Sequence, residues 1–254
     1  MDPRIHERRL AVRRDEGRRR LRILVMAVSV VALLAGGYGL TRTSLLDVDR
    51  VVVQGTARTP PADVIRAAGL RGSHQMADVD TAAVRRGVER LPWVARATVE
   101  RRWPGTVKIT LQERTAAAAM AAVGGGWATV DATGRVVAVG ADQPAGLVTI
   151  AGVTAPALGA TVGAAAKAAL TVLEALPSSL DGRLRRLDAG EAGVVVHLDG
   201  APPVLLGPTT QLGEKLTALT TLLARVDVKG AGAIDVRVPA APVVAGAAPS
   251  GVNG

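Results

Sequence analysis

Apolar and polar positions follow three different rhythms along this chain, and each rhythm marks a different environment. Residues 23–40 read ILVMAVSVVALLAGGYGL, eighteen positions without a charge. As a helix such a run extends about 27 Å, close to the thickness of a bilayer core. Beyond it the pattern breaks into short elements. Residues 48–54 are a β-branched run closed by Gly55, which predicts a strand. Thr59-Pro60-Pro61 opens a short helix, with Thr59 as the expected cap and Asp63 near the positive helix end. Val64, Ile65 and Ala68 give it an apolar side, and Gly69 stops it. Asp80 caps a second helix, in which Val84, Val88 and Leu91 recur on one face while Arg85, Arg86, Glu89 and Arg90 face water; Pro92 ends it.

The two-residue rhythm then takes over. From 94 to 103, Ala95, Ala97, Val99 and Trp103 are expected on one face, opposite Arg96, Thr98, Glu100 and Arg102. Pro104-Gly105 is a turn signal, after which Val107, Ile109 and Leu111 alternate with Lys108, Thr110 and Gln112. The order strand, helix, helix, strand, strand makes a three-stranded sheet with one face covered by two helices, a small α+β layer.

The remainder reads as a second, larger unit. Residues 116–122 carry little pattern, and Gly124-Gly125-Gly126 lacks the lysine or serine a phosphate loop needs, so it reads as a flexible turn. Residues 127–130, the turn Asp131-Ala132-Thr133-Gly134 and residues 136–139 form a hairpin pattern, with 147–150 as a further strand. Residues 167–176 are helical, presenting Leu170, Leu173 and Leu176, and Pro177 ends them. A second hairpin joins 194–198 to 204–206 through Asp199-Gly200. Leu212, Leu216, Leu219, Leu223 and Val226 form the best amphipathic helix in the chain. A last strand covers 233–238, and from 241 to 254 the Ala, Pro and Gly content leaves little to bury, so disorder is expected there.

Composition sharpens this picture. The chain has no cysteine, which removes disulfides, thiolate metal sites and cysteine nucleophiles together, and no phenylalanine, so its cores rest on Val, Leu, Ile and Ala. Its formal charge of +9 would ordinarily suggest nucleic acid. More than half of that excess sits in residues 1–22, where nine arginines face four acids. Because nine arginines precede the apolar run and only Arg42 closely follows it, residues 1–22 are expected in the cytoplasm, 23–41 in the membrane and the bulk outside. A cleaved signal peptide is the rival: its apolar region is shorter and ends in small residues, which 32–37 would supply. The length of the run and of the basic tail favours an uncleaved anchor. The arginine-rich tail reads first as a topology signal, ahead of contact with nucleic acid or anionic lipid.

The stretch LPWVARATVERRWPGTVKITLQER, residues 91–114, resembles the signature of FtsQ-type POTRA modules; so does VDRVVVQG, residues 48–55, just outside a single membrane helix. LLGPTTQLGEKLTALTTLL with Lys215, and AIDVRVPAAPVV, are similar to the β domain of the FtsQ/DivIB family. The resemblance implies an α+β fold: one transmembrane helix, a β-α-α-β-β POTRA module over 46–114, and a mixed antiparallel β domain with two helices over 115–240. It implies a membrane-anchored scaffold of bacterial cell division at the septum, joining FtsB/DivIC-like and FtsL-like single-pass proteins and linking them to septal wall synthesis. On this chain the family's partner-receiving strand corresponds to Ile234, Asp235, Val236, Arg237 and Val238. Relatives often carry an aromatic where Val238 stands. The alternative reading is a POTRA-containing envelope chaperone or secretion factor, against which the single module and the lack of barrel-like strands count.

No catalytic or metal constellation emerges. His6, His74 and His197 are scattered, Asp80 already has work as a cap beside Asp78, and no serine sits in a nucleophile elbow. No enzyme activity, cofactor, metal or small-molecule substrate is expected. Arg85, Arg86, Arg90, Arg96, Arg101 and Arg102 read as a solvated face before they read as a patch for lipid headgroups or acidic wall polymers.

Overall fold

The basic and apolar stretches at the start form one continuous helix, α1 (Pro3–Thr41). The computed structural model describes residues 3–41, 47–72 and 74–246. Every described side chain of α1 from 20 to 39 is exposed, Leu33 at 77% and Met26 at 70%. Residues 20–39 are the one stretch among the described residues long and apolar enough to cross a membrane. With no protein surface against them, these side chains are matched to lipid.

The first globular unit follows the expected order: β1 (Arg50–Gln54), α2 (Pro61–Ala67), α3 (Thr81–Glu89), β2 (Val94–Arg102) and β3 (Thr106–Glu113). β3 is central, parallel to β1 with Val53 opposite Ile109, and antiparallel to β2. Val107, Ile109 and Leu111 turn inward, as their alternation requires, against Val64, Val84 and Val88 of the two helices. Asp80 caps α3, its carboxylate accepting from the Ala82 and Ala83 amides at 2.9 and 3.1 Å. Those amides hold the Asp80 carboxyl below its ordinary range.

Two local expectations fail for clear reasons. Thr59 does not cap α2; Pro60 holds that position without a side-chain bond, and Thr59 is buried one residue earlier. Its amide, with that of Arg58, donates instead to the Glu113 carboxylate at 2.8 and 2.9 Å, so the end of β3 organises this turn. In β2 the pairing slips between Val94 and Arg96, a bulge that sends Ala95 outward and brings Val94 to the core beside Ala97. Trp103, beyond the end of β2, is 54% exposed.

The second unit is a nine-stranded sheet in the order β12-β11-β10-β9-β8-β7-β4-β5-β6. Its strands are β4 (Ala116–Ala122), β5 (Trp127–Asp131), β6 (Val136–Gly140), β7 (Val148–Ala155), β8 (Leu184–Gly190), β9 (Gly193–Leu198), β10 (Val204–Gly207), β11 (Ala231–Asp235) and β12 (Val243–Gly246). The pairs β4/β7, β7/β8 and β10/β11 are parallel and the other neighbours antiparallel. The helices α4 (Ala164–Ala175) and α6 (Leu212–Arg225) cover it, with the single-turn α5 (Ser178–Asp181) between them. α4 buries Ala166, Ala169, Leu170 and Val172, starting earlier than the leucine spacing indicated. α6 buries Leu216, Leu219 and Leu222, whereas Leu223 is half-buried and Val226 exposed. Residues 116–122, short of pattern because β4 is covered on both faces at 118–120, are an inner strand.

The two units meet through the β5–β6 turn. Asp131 accepts from Arg114 Nη1 at 2.6 Å, from Thr133 Oγ1 at 2.8 Å and from the Arg135 amide at 2.8 Å, while Arg114 Nε also donates to the Val94 carbonyl at 3.1 Å. Arg135 reaches back to the Arg90 carbonyl at 3.1 Å. Burial works to raise the Asp131 carboxyl, but the Arg114, Arg135 and Thr133 bonds outweigh it and hold the group below its ordinary value of 3.8. A depressed carboxyl contributes stability that is complete above the unfolded value and disappears as pH falls through the folded one. We therefore expect Asp131→Ala to destabilise the full chain in detergent by about 2–3 kcal/mol at neutral pH. Urea unfolding at stepped pH should show this gap narrowing below about pH 4, as the unfolded chain takes up its proton first, and closing once the folded carboxyl is protonated too.

Candidate partner-binding site

The carboxy-terminal end of the large sheet is built around a buried lysine. α6 presents Lys215 toward the core with only 2% of its surface exposed. Its ammonium donates to the carbonyls of Leu206 at 3.0 Å, where the β10–β9 pairing slips between Leu205 and Gly207, and of Pro208 at 2.7 Å, just past the end of β10. A charge so placed is tolerable because its hydrogen bonds are made to fixed dipoles. It ties the start of α6 to the end of β10, and β10 in turn carries β11, with Val204 opposite Ile234 and Leu205 opposite Asp235.

The five residues expected to receive a partner divide three ways. Ile234 and Val236 are fully buried and belong to the core. Asp235 and Arg237 close on each other: Arg237 donates from Nε at 3.0 Å and Nη2 at 2.5 Å to the Asp235 carboxylate, which also accepts the Arg237 amide at 2.9 Å. The Arg237 guanidinium holds the Asp235 carboxyl below its usual range, and Asp235 in turn raises Arg237. β11 ends at Asp235, three residues earlier than its alternation suggested, and the Val236 amide makes a last bond to the Leu205 carbonyl at 3.1 Å before the clamped turn. The Arg237 stem lies over Gly207, whose φ of +63° suits glycine and where a Cβ would sit 3.0 Å from Arg237 Cγ. Val238 is 61% exposed.

β11 is flanked on both sides, by β10 and by β12. Disorder was expected from 241 onward; Val243–Gly246 instead form β12, antiparallel to β11 with Val244 opposite Ile234 and Val243 opposite Asp235. The Val243-Val244 pair is the signal for it, hidden by the Ala and Pro around it, and its stability comes from the ladder with β11. Residues 247–254 lie outside the described residues. Among the described residues β12 has a strand neighbour on one side only. Beside it an open groove of about 960 Å³ runs between α6 and the 239–244 segment, lined by Thr217, Ala218, Thr221, Val226, Pro239 and Val244 among others.

His74 and His197 are held locally, and the side chain of His6 lies outside the described residues. His197 Nε2 lies 2.7 Å from Asp188, whose carboxylate also pairs with Arg186 at 2.8 Å, and His74 Nδ1 lies 3.1 Å from the Gly72 carbonyl. Among the described residues no three His, Asp or Glu side chains gather closely enough to hold a metal ion.

A membrane helix, a β-α-α-β-β module and a large mixed sheet covered by helices define a membrane-anchored POTRA protein. Residues 46–114 match the family model of the FtsQ-type POTRA domain, and residues 119–237 that of the carboxy-terminal region of the cell division protein FtsQ/DivIB. The chain is 32% identical to the cell division protein FtsQ of Streptomyces collinus over 247 residues, 92% of this chain and 91% of the relative. It is 30% identical to FtsQ of Mycobacteroides abscessus, over 79% of this chain and 64% of the relative. With FtsQ of Corynebacterium glutamicum the identity is 24%, over 80% and 91%. The chain belongs to the FtsQ family of bacterial cell division proteins.

Lys215→Ala would leave two carbonyls without their donor and a void beneath α6. Unfolding of the full chain in detergent should register a loss of about 2–4 kcal/mol.

Proposed function

We propose that this protein is a non-catalytic scaffold of the division machinery, anchored by α1 with its amino terminus in the cytoplasm and its two globular units outside. There it binds FtsB/DivIC-like and FtsL-like single-pass proteins at the septum and links them to septal wall synthesis. The observation that carries the reading is the end of the large sheet: β12 with a strand on one side, next to a groove under α6. A partner strand adding to β12 would gain main-chain hydrogen bonds, and its alternate side chains would enter the groove. Residues 234–238 then act from behind this edge. Ile234 and Val236 anchor β11, the Asp235–Arg237 clamp fixes the turn into β12, and Val238 is the exposed member available for contact. The excess of arginines ahead of the apolar run, nine in residues 1–22 against Arg42 just after it, supports the orientation.

Deleting residues 243–254 from the full chain should abolish co-purification of the FtsB-like partner while leaving the unfolding transition of the remaining sheet in place. Retention of the partner by that truncated chain would remove this site from consideration. Val238→Tyr adds apolar contact area at the exposed position and should tighten partner binding by about 1 kcal/mol, roughly fivefold. For orientation, protease added to wall-stripped cells should digest the chain beyond residue 41; full protection would reverse the topology.

A further inference from the structure

The tip of the β2–β3 hairpin carries a tryptophan that the folded unit does not use. Trp103 is 54% exposed, whereas Trp93 and Trp127 are both half-buried, Trp93 under the Arg58 guanidinium at 4.5 Å. The fold fixes where this tip lies relative to the membrane helix. The Gly105 carbonyl accepts the amides of Asp49 and Arg50 at 2.8 and 3.1 Å, so the tip is bonded to the residues by which the chain enters the first globular unit. Gly105 is buried there, and a Cβ on it would meet the Asp47 carbonyl at 2.8 Å. Between Thr41, the last residue of α1, and Asp47 the chain takes six steps. Even fully extended, six residues span only about 20 Å. The tip is therefore held at the end of the unit nearest the helix exit, whichever side of the membrane that unit occupies.

Its chemistry suits a headgroup layer. Arg101 and Arg102 precede Trp103, and Arg50 is bonded to the same tip; all three are exposed. Asp47, Asp49, Glu100 and Asp80 are acids near them, Asp80 interacting with Arg101; Arg102 pairs with Glu100 at 3.1 Å while Arg101 donates to the Ala77 carbonyl at 3.4 Å. These acids offset the arginine charge, so nonspecific attraction to a polyanion is weak. What distinguishes the tip is an indole ring between guanidiniums and Pro104, the combination that settles at the level of lipid phosphates and glycerol. We propose that this hairpin tip is a second membrane contact, in which Trp103 enters the phospholipid headgroup zone of the leaflet that α1 exits while Arg101 and Arg102 meet lipid phosphates. The contact would fix the tilt of the first unit on the bilayer surface, a restraint that the tether alone does not provide.

The test uses the full chain in lipid vesicles, with the Trp103 emission obtained as the difference between the wild-type and Trp103→Ala chains. In vesicles whose lipids are brominated high on the acyl chain, this component should lose about half its intensity relative to unbrominated vesicles, since bromine quenches at contact and the ring sits at the interface. Emission of Trp93 and Trp127, which remains in Trp103→Ala, should be unchanged. Arg101→Gln/Arg102→Gln, which leaves Trp103 and both sheet ladders in place, should reduce the quenching at least twofold. Equal Trp103 intensity in the two kinds of vesicle would overturn the proposal. So would quenching that ignores the paired arginine variant, or a Trp103 signal that responds only to added acidic wall polymer.

Discussion

The larger core is filled without a single aromatic ring. Its buried members are Ala, Val, Leu, Ile and Met, and α4 meets the sheet through Ala166 and Ala169. Side chains this small bury little area each, so stability has to come from many contacts and from close approach of backbones. A nine-stranded ladder meets that requirement by satisfying main-chain groups over its whole width. Alanine-faced helices meet it by settling close to the strands. Polar groups drawn inside under these conditions need hydrogen-bond partners, as Lys215 has in its two carbonyls and Asp131 in its three donors.

Most elements with one covered face were legible in the sequence, whereas the inner β4, covered on both, was not. Val107, Ile109 and Leu111 alternate because water lies on the other side of β3, and Leu216 and Leu219 recur because α6 has a wet face. The inner β4 is alanine and methionine from 116 to 122, a run whose periodicity burial has erased. β8 escaped notice because Arg185 and Arg186 interrupt its apolar positions. The bulge at Ala95 shows a different limit, since strict alternation from 94 to 103 takes no account of one extra residue.

At the candidate site, pairing geometry separates residues that sequence similarity groups together. Resemblance marked 234–238 as a unit. The three-dimensional arrangement separates core anchors from an ionic clamp, and passes the open side of the sheet to a strand written in alanine, valine and glycine. A four-residue strand has little intrinsic preference to display; its identity is conferred by the neighbour it pairs with.

Chain order adds one consequence. β10 and β11 run parallel, which obliges the intervening residues to cross the sheet through α6 before β11 can be laid down, and β12 comes after that. The outermost strand is thus the latest of the described strands to leave the ribosome. A molecule interrupted before Val243 lacks the strand that pairs with β11 on its outer side, so this edge of the sheet takes its final form only after that point of synthesis.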